Sequence, residues 1–99
     1  MRFEEAKALL RKMMPVARHT LGAAHEITLK MRSTYAIILY FDAGATLEDL
    51  REAVTTFEDI VRTARRVLGA AHPLTTGIEK QLQNARVVLR ARETPSGEA

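Results

Sequence analysis

Leu21-Gly22-Ala23-Ala24-His25 recurs without change as Leu68-Gly69-Ala70-Ala71-His72, at an offset of 47 residues in a chain of 99. The offset aligns more than the pentapeptide. It also pairs Glu5 with Glu52, Ala6 with Ala53, Ala17 with Ala64, Arg18 with Arg65 and Thr28 with Thr75. Self-similarity at a period of about 40–47 residues marks a helical repeat, in which one supersecondary unit recurs and its neighbours stack over a shared core. The pentapeptide has the chemistry of a helix junction. Its glycine suits the left-handed backbone just past a helix end, and its histidine stands immediately before the next helix, where a side chain can cap.

Working outward from the two junctions, apolar residues recurring every three to four positions predict four helices. The first runs from about Arg2 to Leu21, through Phe3, Ala6, Leu9, Leu10, Met13, Met14, Ala17 and Leu21. Pro15 lies inside it, and because proline removes a backbone donor and crowds the carbonyl four residues back, a kink or break is expected near Met13 and Met14. The second runs from about Glu26 to Asp42, with Ile27, Met31, Tyr35 and Ile38 on one face, widened by Leu39 and Phe41. Ala43-Gly44-Ala45 ends it, and Thr46 reads as the N-cap of a third helix with Glu48 and Asp49 in its first turn. Leu50, Ala53, Phe57, Ile60, Val61, Ala64 and Leu68 carry that helix to Gly69. The fourth opens on Pro73, a favoured first-turn proline, and carries Ile78, Leu82, Ala85, Val88 and Leu89 to about Glu93. The expected fold is all-α. Residues 1–93 form one domain, followed by a disordered polar tail over residues 94–99.

Composition narrows the function classes. Apolar residues make up 46% and charged residues 27%, an ordinary globular balance. The chain has no cysteine, which removes disulfides and thiolate zinc sites together and fits a cytoplasmic location. Its longest apolar run, Tyr35 to Phe41, is far short of the ~18 residues a membrane span needs, so no membrane partner is expected. The net charge of +3 is spread among acids along every helix, and the densest basic cluster is Arg86, Arg90 and Arg92. With few aromatics and no recognition-helix pattern, nucleic acid is not the expected partner.

Arg66-Val67-Leu68-Gly69-Ala70-Ala71-His72-Pro73-Leu74-Thr75 matches the pattern Leu-Gly-x-x-His-Pro-x-Thr. Tyr35-Ala36 is followed by Leu39-Tyr40 and Gly44, and Arg51-Glu52-Ala53 opens the third helix. In these features the chain resembles the tetratricopeptide repeat (TPR), in its long kinesin-light-chain-like form, over roughly Phe3 to Glu93. It departs from that form in three places. It is about four residues longer between Gly44 and His72, Glu26 stands in place of a proline, and Ser33 and Thr34 stand where paired asparagines are common. The stretch Thr46-Leu47-Glu48-Asp49-Leu50-Arg51-Glu52-Ala53 resembles a divergent branch of that form. The resemblance implies antiparallel hairpins stacked as a short α-solenoid, with the four helices in B-A-B-A order. It also implies a non-catalytic scaffold that binds a peptide or partner subunit on the concave face of its A helices. The residues it places there are Lys30, Ser33, Ile37, Tyr40 and Phe41 from the second helix, and Gly77, Lys80, Asn84 and Val87 from the fourth. Such a face suits an extended peptide, with Asn84 bonding its backbone, the lysines an acidic group and the apolar strip its side chains.

An alternative reading follows from the order of the helices. The first is a B helix without an A partner, so Phe3, Leu10, Met13 and Met14, with Leu9 beside them, are candidates for self-association into a homodimer. No residues point to catalysis, a cofactor or a metal. Glu4/Glu5, Glu48/Asp49 and Glu58/Asp59 are sequence neighbours, which do not face each other on a helix. His19, His25 and His72 have no carboxylate at metal-ligand spacing. His25 and His72 read as helix caps.

Overall fold

The computed structural model describes residues 3–94, which form four helices: α1 (Phe3–Leu21), α2 (Glu26–Phe41), α3 (Leu47–Val67) and α4 (Pro73–Glu93). No strand occurs among the described residues. The tail from residue 95 onward lies outside them. Each junction has the local chemistry that ends one helix and starts another. Gly22 and Gly69 adopt φ of +101° and +97°, the left-handed conformation that glycine enters without a Cβ penalty. His25 and His72 then cap. His25 Nδ1 accepts from the Ile27 amide at 3.1 Å and His72 Nδ1 from the Leu74 amide at 3.0 Å, each satisfying an amide that the helix itself leaves unbonded. The middle junction is built differently. Asp42 Oδ1 accepts from the Gly44 amide at 3.0 Å, and Thr46 and Asp49 form a reciprocal capping box with both bonds at 3.0 Å.

Connections this short make consecutive helices antiparallel, so α1 and α3 run one way and α2 and α4 the other. The molecule is 47 × 31 × 19 Å, and its short dimension is about two helix diameters, a two-layer arrangement. α3 packs most extensively on α4 and α2, α1 packs mainly on α2, and α2 also reaches α4. Phe57, Leu29, Leu39, Leu50, Ile60 and Ile78 are the large apolar side chains fully buried at the centre. The rings of Tyr40 and Phe57 meet edge-on at 6.1 Å, which joins α2 to α3.

Two sequence expectations are corrected by the packing. α1 runs unbroken through Pro15, because Leu10, Met14 and Ala17 hold the helix against α2 on both sides of the proline. Ile27 and Phe41, which the periodicity groups with the apolar face of α2, are 48% and 66% exposed, whereas Leu29 and Ala36 are fully buried. The α2 stripe is thus rotated from the sequence reading, because this helix is covered on three sides and its apolar residues no longer mark one face.

Candidate functional site

The outward face of the α2–α4 layer carries the residues proposed for a groove, but not all of them point there. On α2, Lys30 and Phe41 are exposed and Ile37 is half-buried against the core. Lys30 Nζ holds Glu26 at 3.3 Å across one helical turn. Ser33 and Tyr40 are buried, with 8% and 7% exposure. The Tyr40 hydroxyl donates to Gln81 Oε1 of α4, and its ring lies against Phe57 of α3. On α4, Gly77, Lys80, Asn84 and Val87 are all exposed, Val87 by 64%.

The repeat offset explains the difference. Ser33 corresponds to Lys80 and Tyr40 to Val87, on the side of an A helix that the elements after it cover. α3 and α4 cover that side of α2, whereas no described element follows α4. Of the residues implied for the groove, Lys30 and Ile37, with their counterparts Gly77 and Asn84, lie on the outward side of both helices, whereas Phe41 is exposed but its counterpart Val88 packs on the core. Ile27 and Thr34 belong to the same exposed α2 face, and Gln81 forms its seam with α4. The sequence does hold a signal for the correct line. Leu29, Ala36 and Tyr40 follow Ser33's side at helical spacing, which is a core pattern.

α1 presents a second surface. Of the four residues assigned to self-association, Phe3, Leu10 and Met14 are half-buried, and Leu10 and Met14 pack on the core. Met13 is exposed, and it sits between Leu9 and Val16 in a stripe at i, i+4 and i+7 with exposures of 57%, 43% and 61%. The offset matches that stripe to Thr56, Ile60 and Thr63 of α3, where Ile60 is fully buried. Asp59, on the same side of α3, holds Arg32 of α2 at 2.9 Å. The bare side of α1 is thus the side on which α3 meets its preceding A helix.

Two clefts open on the side of α2 and α4 away from the outward face. One, of about 590 Å³, lies between α1 and α3 over α2, and is lined by Arg11, Met14, Pro15, Arg18, Arg32 and Tyr35, together with His19 and Glu52. The other, of about 810 Å³, lies between α3 and α4 and includes Arg62, Arg65, Glu79 and Arg86. In the first, Arg11 Nε donates to the Tyr35 hydroxyl at 3.0 Å, with its guanidinium 5.6 Å from the ring centroid. That hydrogen bond raises the Arg11 pKa above its ordinary value. At the far end of α1, Lys7 is buried between Glu4 at 3.2 Å and Asp42 at 3.8 Å. The hydrogen bond with Glu4 is the main reason that its pKa is raised, with burial opposing.

The C-terminal arginines serve the fold. Arg92 donates to the Ala45 carbonyl at 2.9 Å, tying α4 to the middle junction, and Arg86 pairs with Glu58 at 3.1 Å. Two of the three cationic groups in that cluster are therefore engaged within the chain.

No helix among the described residues is long and apolar enough to cross a membrane. Comparison with known proteins returns no matching curated protein and no matching solved structure. The family model of the tetratricopeptide repeat does match, over residues 45–74. That segment spans the end of the middle junction, all of α3, the second Leu-Gly-Ala-Ala-His turn and the start of α4. This segment is similar to a tetratricopeptide repeat, and it lies within an all-α helical-repeat fold.

Proposed function

We propose that this protein is a non-catalytic protein–protein interaction module of the long, kinesin-light-chain-like repeat type, acting in the cytoplasm as a single domain. It binds an extended peptide segment, or a segment of a partner subunit, along the outward face of α2 and α4. The observation that carries this reading is Phe41, two-thirds exposed at the end of α2, in a face that also presents Lys30 and Asn84. A large aromatic left in water beside an ammonium and an amide offers an apolar anchor, a charge partner and a backbone hydrogen-bonding group. Lys80 and Val87 extend the site along the rim of α4. With two A helices among the described residues the face is shallow, so affinities of about micromolar or weaker are expected.

Peptides selected from a random display library on the intact chain test the reading. Phe41→Ser, Lys30→Glu and Asn84→Ala should each weaken the selected peptides, with Phe41→Ser weakening them most, by about tenfold or more. Selected peptides that bind all three variants as well as the unaltered chain would overturn it.

A second reading rests on the stripe of Leu9, Met13 and Val16: self-association through α1. Light scattering across a wide concentration range should then show a dimer that Met13→Asp dissociates. A monomer at every concentration would remove this reading and leave the first intact.

A further inference from the structure

The two clefts on the far side of α2 and α4 are the same groove met twice. The repeat offset carries Arg18 to Arg65, Arg32 to Glu79 and Tyr35 to Leu82, and each residue lines its own cleft. In the second cleft the cation is satisfied from within. Arg65 Nε donates to Glu79 Oε2 at 2.6 Å. In the first cleft the residue in Glu79's place is Arg32, and it is turned away to Asp59 of α3 at 2.9 Å. Arg18 therefore shares its cleft with a second guanidinium where its counterpart has a carboxylate. No described carboxylate lies within ion-pair distance of it. Of the three guanidinium groups that line the first cleft, Arg32 is held by Asp59, which leaves Arg11 and Arg18 beside the single lining carboxylate, Glu52.

The apolar part of the cleft also differs from its copy. Met14 and Pro15 line the first cleft on its apolar side, with the largely buried Tyr35 beneath them, whereas Pro15 corresponds to Arg62 in the second cleft. Arg11 and Arg18 stand seven residues apart on one helix face. At 1.5 Å of rise per residue they are about 10 Å apart along the axis, room for roughly three residues of extended chain at about 3.3 Å each. A free inorganic anion would use the charge and leave the apolar side unused.

We propose that the α1–α3 cleft is a second binding site, and that it takes a peptide carboxylate flanked by an apolar side chain. The carboxylate occupies beside Arg18 the place that Glu79 fills beside Arg65, and the apolar side chain lies along Met14, Pro15 and Tyr35. Guanidinium–carboxylate pairing supplies both orientation and charge. The site is separate from the outward face of α2, since Arg32 and Tyr35 project from the opposite side of that helix to Lys30 and Phe41.

The test is an NMR titration of the intact, isotope-labelled chain with three tripeptides. Acetyl-Leu-Glu-Leu-amide presents a side-chain carboxylate, acetyl-Leu-Gln-Leu with a free terminus presents a terminal one, and acetyl-Leu-Gln-Leu-amide presents none. One or both acids should shift resonances of Met14, Arg18 and Tyr35, and whichever is stronger identifies the source of the carboxylate. The neutral amide should leave them in place. Arg18→Gln, at an exposed position, should weaken the acid peptide about tenfold, and Arg18→Lys should weaken it less. Equal binding of the neutral peptide, or no effect of Arg18→Gln, overturns the proposal. So does an absence of shifts with all three peptides at millimolar concentration. Shifts centred on Phe41 and Asn84 would also overturn it, while supporting the outward face as the binding surface.

Discussion

α2 and α4 are the same helix of the repeat in two settings. Where α2 has Leu29, Ala36, Leu39 and Tyr40, α4 has Thr76, Gln83, Arg86 and Val87. The α2 residues are buried, and α3 and α4 lie over them. Their α4 counterparts face outward or line an open cleft. The residues shared with the core correspond more closely: Thr28 and Thr75, Met31 and Ile78, Tyr35 and Leu82. One face of each helix is held to the requirements of the core, and the other has diverged according to whether a further helix covers it. A polar outer face is what a capping helix needs in a stacked array. α1, at the other end, keeps Leu9, Met13 and Val16 bare. The outer sides of α4 and α1 are therefore chemically unlike, largely polar at α4 and apolar at α1.

The comparison can be broken most forcibly by exchanging the two faces. Leu39→Arg places the residue of α4 at its equivalent in α2, where exposure is only 1%. A charge buried there without a partner should cost about 4 kcal/mol or more and leave the chain largely unfolded in circular dichroism. The reverse change, Arg86→Leu, removes a surface pair with Glu58 and should alter the urea midpoint by about 1 kcal/mol or less. Similar costs in both directions would mean that the two helices are not inner and outer versions of one element.

Weaker substitutions sharpen the same contrast. His72→Ala removes the side chain that accepts from the Leu74 amide at the start of α4, and should cost about 1 kcal/mol in urea melts. His72→Asn should restore most of it, since asparagine caps the same amide. At the position equivalent to Lys30, α4 has Gly77, and a Cβ built there meets nothing within 4 Å. Gly77→Ala should raise stability by up to about 1 kcal/mol through helix propensity.

The smallest effect concerns the α1 end. Lys7 has a raised pKa in the fold, so its contribution is complete below the unfolded value and disappears as pH rises through the folded one. The unaltered chain should therefore lose stability on strong alkalinisation relative to Lys7→Met, compared by urea melts at neutral and alkaline pH. Parallel pH dependences in the two proteins would show that the Glu4–Lys7–Asp42 group contributes nothing.

Most of the fold could be read from the chain. The repeat period gave the helix order, glycine and histidine gave the outer junctions, and Thr46 with Asp49 gave the start of α3. The candidate site was less legible. Lys30, Phe41 and Asn84 are exposed as the resemblance implies, whereas Ser33 and Tyr40, implied for the same face, lie inside. Leu10 and Met14, candidates for a bare surface, pack on the core, and the exposed stripe includes Val16 instead.

The difference lies in the range of the forces involved. Helix boundaries and caps depend on contacts within about four residues, such as His72 with Leu74 and Thr46 with Asp49, and those are encoded where they act. Burial of a given side of a helix depends on what is stacked against it. Tyr40 and Val87 occupy one register of the repeat, and α3 and α4 bury the first while no described element covers the second. Pro15 illustrates the same division. Its local preference was to break α1, and packing on either side against α2 kept the helix whole.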